Sequence, residues 1–225
     1  MHVSCYVLGS ASLDRKELME KSGLSPFIVL SSDYDESDEA SDPVRLAELL
    51  ARKKGESALR KLRNELKREQ FTALLPTFNE DVVTFALITA DTVVSLKSET
   101  FGKAADENEA FSILQRLQGQ THKLITAFCV KILEVNVRAG TANEMDSRTD
   151  HAVTKVRFAD LDDSAIKGYV ATGEWRGRAG CYAIQHKASQ FIQSIEGSPS
   201  GVIGLPVAQV VEALESMGIE ARNKA

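Results

Sequence analysis

Apolar residues along this chain follow two spacings, and the switches between them divide it into strands and helices. Val3 to Leu8 is a short apolar run stopped by Gly9, the pattern of a buried strand. The small residues Ser10-Ala11-Ser12 come next, and then Leu18 and Met19 fall in a helical pattern ending at Gly23. The chain therefore starts as strand, loop and helix. Phe27 to Leu30 predicts a second strand, and Ser31 to Asp42 a polar, acidic loop. Pro43 suits the first turn of a helix whose apolar stripe is Leu46, Leu49 and Leu50. From Ala51 to Gln70, Lys, Arg and Glu crowd together, which predicts a solvated helix laced with alternating charges.

Val82 to Ala90 is the strongest strand pattern and stops at Asp91-Thr92; a second apolar piece, Val93 to Leu96, follows directly. Asp106 can cap a helix carrying Ala110, Phe111, Leu114 and Leu117, closed by Gly119. Leu124 to Val137 reads as one long strand or two. Arg138 to Asp150 is poor in apolar residues and predicts a flexible hairpin tip or an insertion. Ala152 to Phe158 is β-rich, and Asp162 or Asp163 can cap a helix bearing Ile166, Tyr169 and Val170. Gly177 to Gly180 marks a turn, Phe191 to Ile195 a strand, and Leu205 to Met217 an amphipathic helix. The middle strands lack a helix between each pair. That predicts a mixed sheet in an α/β or α+β protein rather than a purely doubly wound one.

Composition narrows the function classes. A chain of 225 residues can bury one large core or two small lobes. Its net charge of −5 argues against a general nucleic-acid binder, which needs a basic face. Cys5, Cys129 and Cys181 are scattered and odd in number, which suits reduced, buried thiols in a cytoplasmic protein; one of them could also be a nucleophile. Met1 to Ser10 has no basic lead before a long apolar stretch, so no secretory leader is expected. No apolar run approaches the roughly 20 residues that cross a membrane.

Chemistry-bearing residues recur at element ends. Gly9-Ser10-Ala11-Ser12, between strand and helix, can bring backbone N–H groups to a phosphate, with Arg15 and Lys16 one turn further on. The same serines also make an ordinary helix cap. Asp91, where the strand pattern stops, is a carboxylate that could ligate magnesium, orient a water, or merely cap the next turn. Lys103, after Gly102, and Lys54 could be point charges on a phosphate, or ordinary surface lysines. In Arg178-Ala179-Gly180-Cys181-Tyr182-Ala183-Ile184-Gln185, small residues could admit a ribose or base, and the Gln185 amide could read a base edge. The four histidines show no paired ligand spacing, so zinc is not expected.

Taken in order, these segments resemble the Maf family of nucleotide pyrophosphatases over nearly the whole chain. The matching pieces include Leu8-Gly9-Ser10-Ala11-Ser12, Asp33-Tyr34-Asp35-Glu36, Leu50-Ala51-Arg52-Lys53-Lys54, Ala90-Asp91-Thr92-Val93-Val94 and Gly102-Lys103. Leu117 to His122, Tyr169 to Glu174, Ala179 to Gln185, Glu196 to Ser198 and Val202 to Pro206 complete the set. The resemblance implies one domain over residues 1–225: an elongated, bent mixed sheet flanked by helices, with a nucleotide cleft between two lobes, as in the inosine triphosphate pyrophosphatase-like fold. It also implies that Ala58 to Asn79 and Arg138 to Asp150 are insertions.

By the same resemblance Ser10, Arg15 and Lys16 would bind the triphosphate, and Lys54 and Lys103 would neutralise it. Glu36 and Asp91 would hold magnesium or manganese, or position the attacking water on the α-phosphorus. Arg178 stands where the family carries lysine, and Gln185 falls where the branch preferring dTTP and UTP carries glutamine. A homodimer is implied as well. Two alternatives remain open, a pyrophosphatase for methylated guanine nucleotides and a weakly catalytic regulator of cell division. Against the family's Ser-Pro-Arg-Arg, Leu13 and Asp14 replace the proline and the first arginine, removing one phosphate-binding cation.

Overall fold

The structure is a computed structural model that describes residues 1–34, 40, 42–97 and 99–220. The buried strand β1 (Cys5–Leu8) leads through the Ser12-capped helix α1 (Leu13–Ser22) to β2 (Phe27–Val29). Asp42 caps α2 (Pro43–Glu65), with Pro43 in the first turn, and the short α3 (Glu69–Thr72) follows. Next come β3 (Val82–Leu96), its hairpin partner β4 (Glu99–Phe101), and α4 (Glu107–Leu117), capped by Asp106. The long strands β5 (Thr121–Asn136) and β6 (Thr141–Phe158) lead to α5 (Asp163–Val170), capped by Asp162. A 3-10 helix (Lys187–Phe191), β7 (Ile192–Glu196), α6 (Pro199–Ile203) and α7 (Val207–Ser216) complete the described chain.

One seven-stranded sheet runs in the order β2-β1-β3-β5-β6-β7, with β4 on the free side of β3. β1 pairs in parallel with β2 and β3, whereas the remaining pairs are antiparallel. This is the mixed sheet in an α/β setting that the element pattern predicts.

Alternation along β3 decides what meets what. Phe85 and Leu87 pack with Ala58, Leu59 and Leu62 of α2. Ala86, Ile88 and Ala90, on the other face, pack with Met19 of α1 and Val210, Val211 and Leu214 of α7. Because side chains alternate with period two, Thr89, Asp91 and Val93 continue the face that α2 covers. Val93 indeed packs with Ala47, Leu50 and Ala51 of α2. Beyond it Val94 joins a separate cluster with α4 and α5 through Leu114, Ile166 and Tyr169.

The structure departs from the sequence pattern in two places. Asp91 does not end a strand: β3 continues unbroken to Leu96, and Asp91 pairs with Ala127 of β5. Leu124 to Asn136 lies in one strand, one of the two readings the sequence allows, and Val137 falls just beyond it. Residues 141–150, expected as a hairpin tip, are the first part of β6 and pair with β5 along its length. An antiparallel strand with one solvated face can carry polar residues without losing its ladder, so low apolar content misled the reading. Residues 58–65 continue α2 and supply Ala58, Leu59 and Leu62 to the core.

Candidate functional site

A cleft of about 620 Å³ opens where β1, α1, α2, β3, the β3–β4 hairpin and the 177–185 and 202–204 segments converge. Its floor begins at Gly9, which follows β1 and donates its N–H to Ile88 O at 2.8 Å. A Cβ there would lie 2.4 Å from Thr89 Cγ2, so only glycine lets the chain pass this close to β3. The turn beyond is organised by serines. Ser10 Oγ accepts from Ser12 N at 3.2 Å, and Ser12 Oγ accepts from Arg15 N at 3.3 Å. The serines therefore do cap α1, and the same cap lines the cleft.

Arg15 is held across the molecule: its Nε donates to Gly204 O at 2.7 Å and its NH1 to Ser10 Oγ at 3.2 Å. Lys16 does not join it. Its ammonium lies 3.8 Å from Glu20, half exposed, and does not line the cleft. Consecutive helical residues point about 100° apart; Asp14 and Arg15 fall on the side of α1 that lines the cleft, and Lys16 falls beyond it.

Lys54 lines the cleft, one of the two positions that the sequence leaves open for it. Ala47, Ala51, Lys54, Ala58 and Leu62 recur at helical spacing and form the buried stripe of α2. The charge-dense stretch is thus solvated on its outer faces only. Lys54 is 8% exposed, Asp91 5%, and Lys54 Nζ donates to Asp91 Oδ1 at the cleft floor. Each charge compensates the other in a setting where either alone would be costly. Close by, Thr126 donates its hydroxyl to Gly201 O at 2.7 Å. The hydroxyl of Thr92, 3.0 Å from Thr126 Oγ1, must then be the donor in that pair.

The far wall carries Lys103, Arg178 and Gln185. Lys103 bridges backbone to backbone with Ala179, which ties the β4 side of the cleft to the 177–185 segment. Arg178 does not extend its charge unanswered: NH1 donates to Asp14 Oδ2 at 2.9 Å, and Nε to Glu174 O at 3.1 Å. Gln185 Nε2 also donates to Asp14, at Oδ1, 3.1 Å away. Asp14 therefore holds both expected binding residues of this wall, a connection that its place in the sequence does not signal. Leu13 beside it is 81% exposed.

Of the expected metal ligands, Glu36 lies outside the described residues. Among the described residues no three His, Cys, Asp or Glu side chains cluster around one point. Magnesium carried with substrate phosphates needs only one or two carboxylates, and Asp91 offers one to this cleft. The donor chemistry fits such an ion. A nucleophilic cysteine does not fit: all three thiols are free and buried, and burial pushes Cys5 up to about 12 and Cys181 up to about 11.

Residues 6–217 match the family described as Maf-like protein. The chain belongs to the Maf family. A relative from Treponema denticola, named dTTP/UTP pyrophosphatase, is 37% identical over 92% of this chain and 94% of its own length. Relatives with the same name from Aromatoleum aromaticum and Clostridium acetobutylicum are 35% and 34% identical, covering 94% and 95% of this chain and 94% and 98% of theirs. Among solved structures, a HAM1 protein from Coxiella burnetii aligns over 94% of this chain and 98% of that one, at 14% identity and a TM-score of 0.37. That likeness is too distant to carry a residue-level correspondence. Asp14 and Arg178, far apart in the chain, meet in space as an ion pair at 2.9 Å.

Proposed function

We propose that this chain hydrolyses dTTP and UTP to the nucleoside monophosphate and pyrophosphate, in one domain whose cleft lies between two lobes. The observation that carries the proposal is the cleft itself, which gathers Ser10, Arg15, Lys54, Lys103 and the Asp91 carboxylate from distant parts of the sequence. The relatives' shared name supports the choice of base.

In this reading the triphosphate lies along the capped turn of α1. Ser10 and Arg15 hold its outer phosphates, Lys103 reaches them from the opposite wall, and Arg178 and Gln185 face the nucleoside. Asp91 takes a proton from a water that attacks the α-phosphorus. The new P–O bond forms as the bridging bond to the β-phosphate breaks, and pyrophosphate leaves with the bonding electrons. Lys54 holds the Asp91 carboxylate in place, and the surrounding cations offset the charge gathering on the leaving group. Positioning and charge neutralisation supply most of the barrier reduction in such chemistry. Magnesium or manganese held by Asp91, with Glu36 as the second expected ligand, would supply further neutralisation of the phosphates when bound.

The test is a panel of nucleoside triphosphates with product identification, in water enriched in 18O. The proposal expects dTTP and UTP to give label in the monophosphate and unlabelled pyrophosphate. Turnover of methylated guanine nucleotides in their place would change the assigned base. Tight binding of dTTP without product would make the protein a regulator instead.

The proposal includes a cytoplasmic, homodimeric protein. Three free, buried thiols support a reducing compartment, and no described helix is long and apolar enough to cross a membrane. Sedimentation at twice the 24.6 kDa chain mass is the expected result for the dimer.

A further inference from the structure

We infer that Asp14 is a positioning residue that fixes the polarity of the Gln185 amide and thereby selects bases with an imide edge. The inference rests on the pyrimidine reading above and names the residue that enforces it. It starts from a small network on the wall of the cleft. Arg178 is anchored on one side by the backbone, its Nε donating to Glu174 O at 3.1 Å. Its NH1 donates to Asp14 Oδ2 at 2.9 Å, and Asp14 Oδ1 accepts from Gln185 Nε2 at 3.1 Å. Asp14 and Gln185 stand 171 residues apart, and both line the cleft.

A carboxamide can be turned over to exchange its donor and acceptor at almost no internal cost, so a lone glutamine reads a base ambiguously. An ionised carboxylate accepts and cannot donate. It holds Nε2 of Gln185 and would repel Oε1 if the amide turned over. The anchored Arg178 in turn keeps Asp14 from swinging away. Gln185 is left with Oε1 and the second Nε2 proton for the cleft, in one fixed sense. Uracil and thymine present N3–H as a donor beside a carbonyl acceptor, which matches that sense. Cytosine presents N3 as an acceptor beside an amino donor, which opposes it.

Asp14→Asn tests the lock, since the new carboxamide carries one acceptor and one donor. Arg178 can only donate, so it takes the acceptor and leaves an N–H for Gln185. The Gln185 amide then turns over to accept it and shows the cleft the opposite polarity. The experiment compares kcat/KM for UTP and CTP, each measured on the same preparation so that the folded fraction cancels. The wild type is expected to prefer UTP, and Asp14→Asn to lower the UTP-to-CTP ratio by about tenfold or more, the worth of one hydrogen bond exchanged for a mismatch. In a Gln185→Ala background, where the amide is gone, Asp14→Asn should leave the ratio unmoved.

The outcomes separate the two levels of the reading. A UTP-preferring wild type whose ratio survives Asp14→Asn overturns the role of Asp14 while leaving the pyrimidine reading in place. A ratio that moves equally in the Gln185→Ala background also overturns it, because Asp14 would then act without the amide. A wild type that turns over neither pyrimidine nucleotide overturns the base assignment and this inference together.

Discussion

The Lys54 ammonium and the Asp91 carboxylate meet at the bottom of the cleft, although 37 residues separate them in the chain. The contact exists because α2 lies along one face of β3, and both residues fall on the facing stripes. Each charge is nearly buried, so each depends on the other. Removing one partner should cost about 3 kcal/mol, since it leaves an uncompensated charge in a poorly hydrated place. Urea unfolding of Asp91→Asn, Lys54→Met and the double variant checks this. The double variant is expected to lose clearly less than the sum of the single losses; full additivity would show that the two charges do not interact.

Gly9 is expected to tolerate no side chain. Gly9→Ala puts a methyl against Thr89 and, at 3.1 Å, against Ala58, both in the packed region beside the cleft. Overpacking of this kind costs about 1–3 kcal/mol and displaces the Ser10 turn with it. Thermal unfolding and dTTP turnover should fall together in this variant, and relief should follow from adding Thr89→Ser, which removes the Cγ2 atom in the way.

Arg15 reaches both Gly204 O and Ser10 Oγ through a planar guanidinium. A lysine ammonium is a point charge and cannot reproduce that fork. Arg15→Lys should therefore lower kcat/KM for dTTP by about tenfold or more, with little loss of folding stability. Steady-state kinetics beside a melting curve checks it.

His122 gives the fold an acid-sensitive point behind Tyr182, which lines the cleft. It is 1% exposed, stacks edge-on with Phe158, and shares a 2.7 Å hydrogen bond between Nε2 and the Tyr182 hydroxyl. Its Nδ1 has no hydrogen-bond partner among the described residues, and burial pushes the imidazole from 6.5 down to about 4. The unfolded chain therefore takes up this proton first as pH falls. Stability from this residue is complete above about pH 6.5, declines towards pH 4, and amounts to about 3 kcal/mol. Urea midpoints across that range should show the decline in the wild type, and His122→Leu should remove this part of it.

Much of this architecture was legible in the sequence because period and caps are local signals. Asp106 caps its helix as the spacing predicts, Asp162 is the one of two candidates that caps the next, and the run ending at Gly9 is the buried first strand. The residues of Ala51 to Gln70 alone leave Lys54 open between a phosphate and the surface, because charge density describes a whole helical stretch, whereas burial belongs to one stripe of it. The start of β6 was misread because a solvated strand face looks like a loop. Asp14 could be seen as a lost cation but not as a ligand of Arg178 and Gln185, since only the tertiary fold brings residue 14 to the 178–185 segment.

The central claim is that the cleft hydrolyses nucleoside triphosphates through Asp91, and turnover of dTTP at saturating concentration by folded Asp91→Asn tests it most directly. With the folded fraction fixed by circular dichroism and chromatography, kcat for pyrophosphate release should drop by about a hundredfold or more, the usual worth of a positioned base. A kcat equal to that of the wild type would contradict the account.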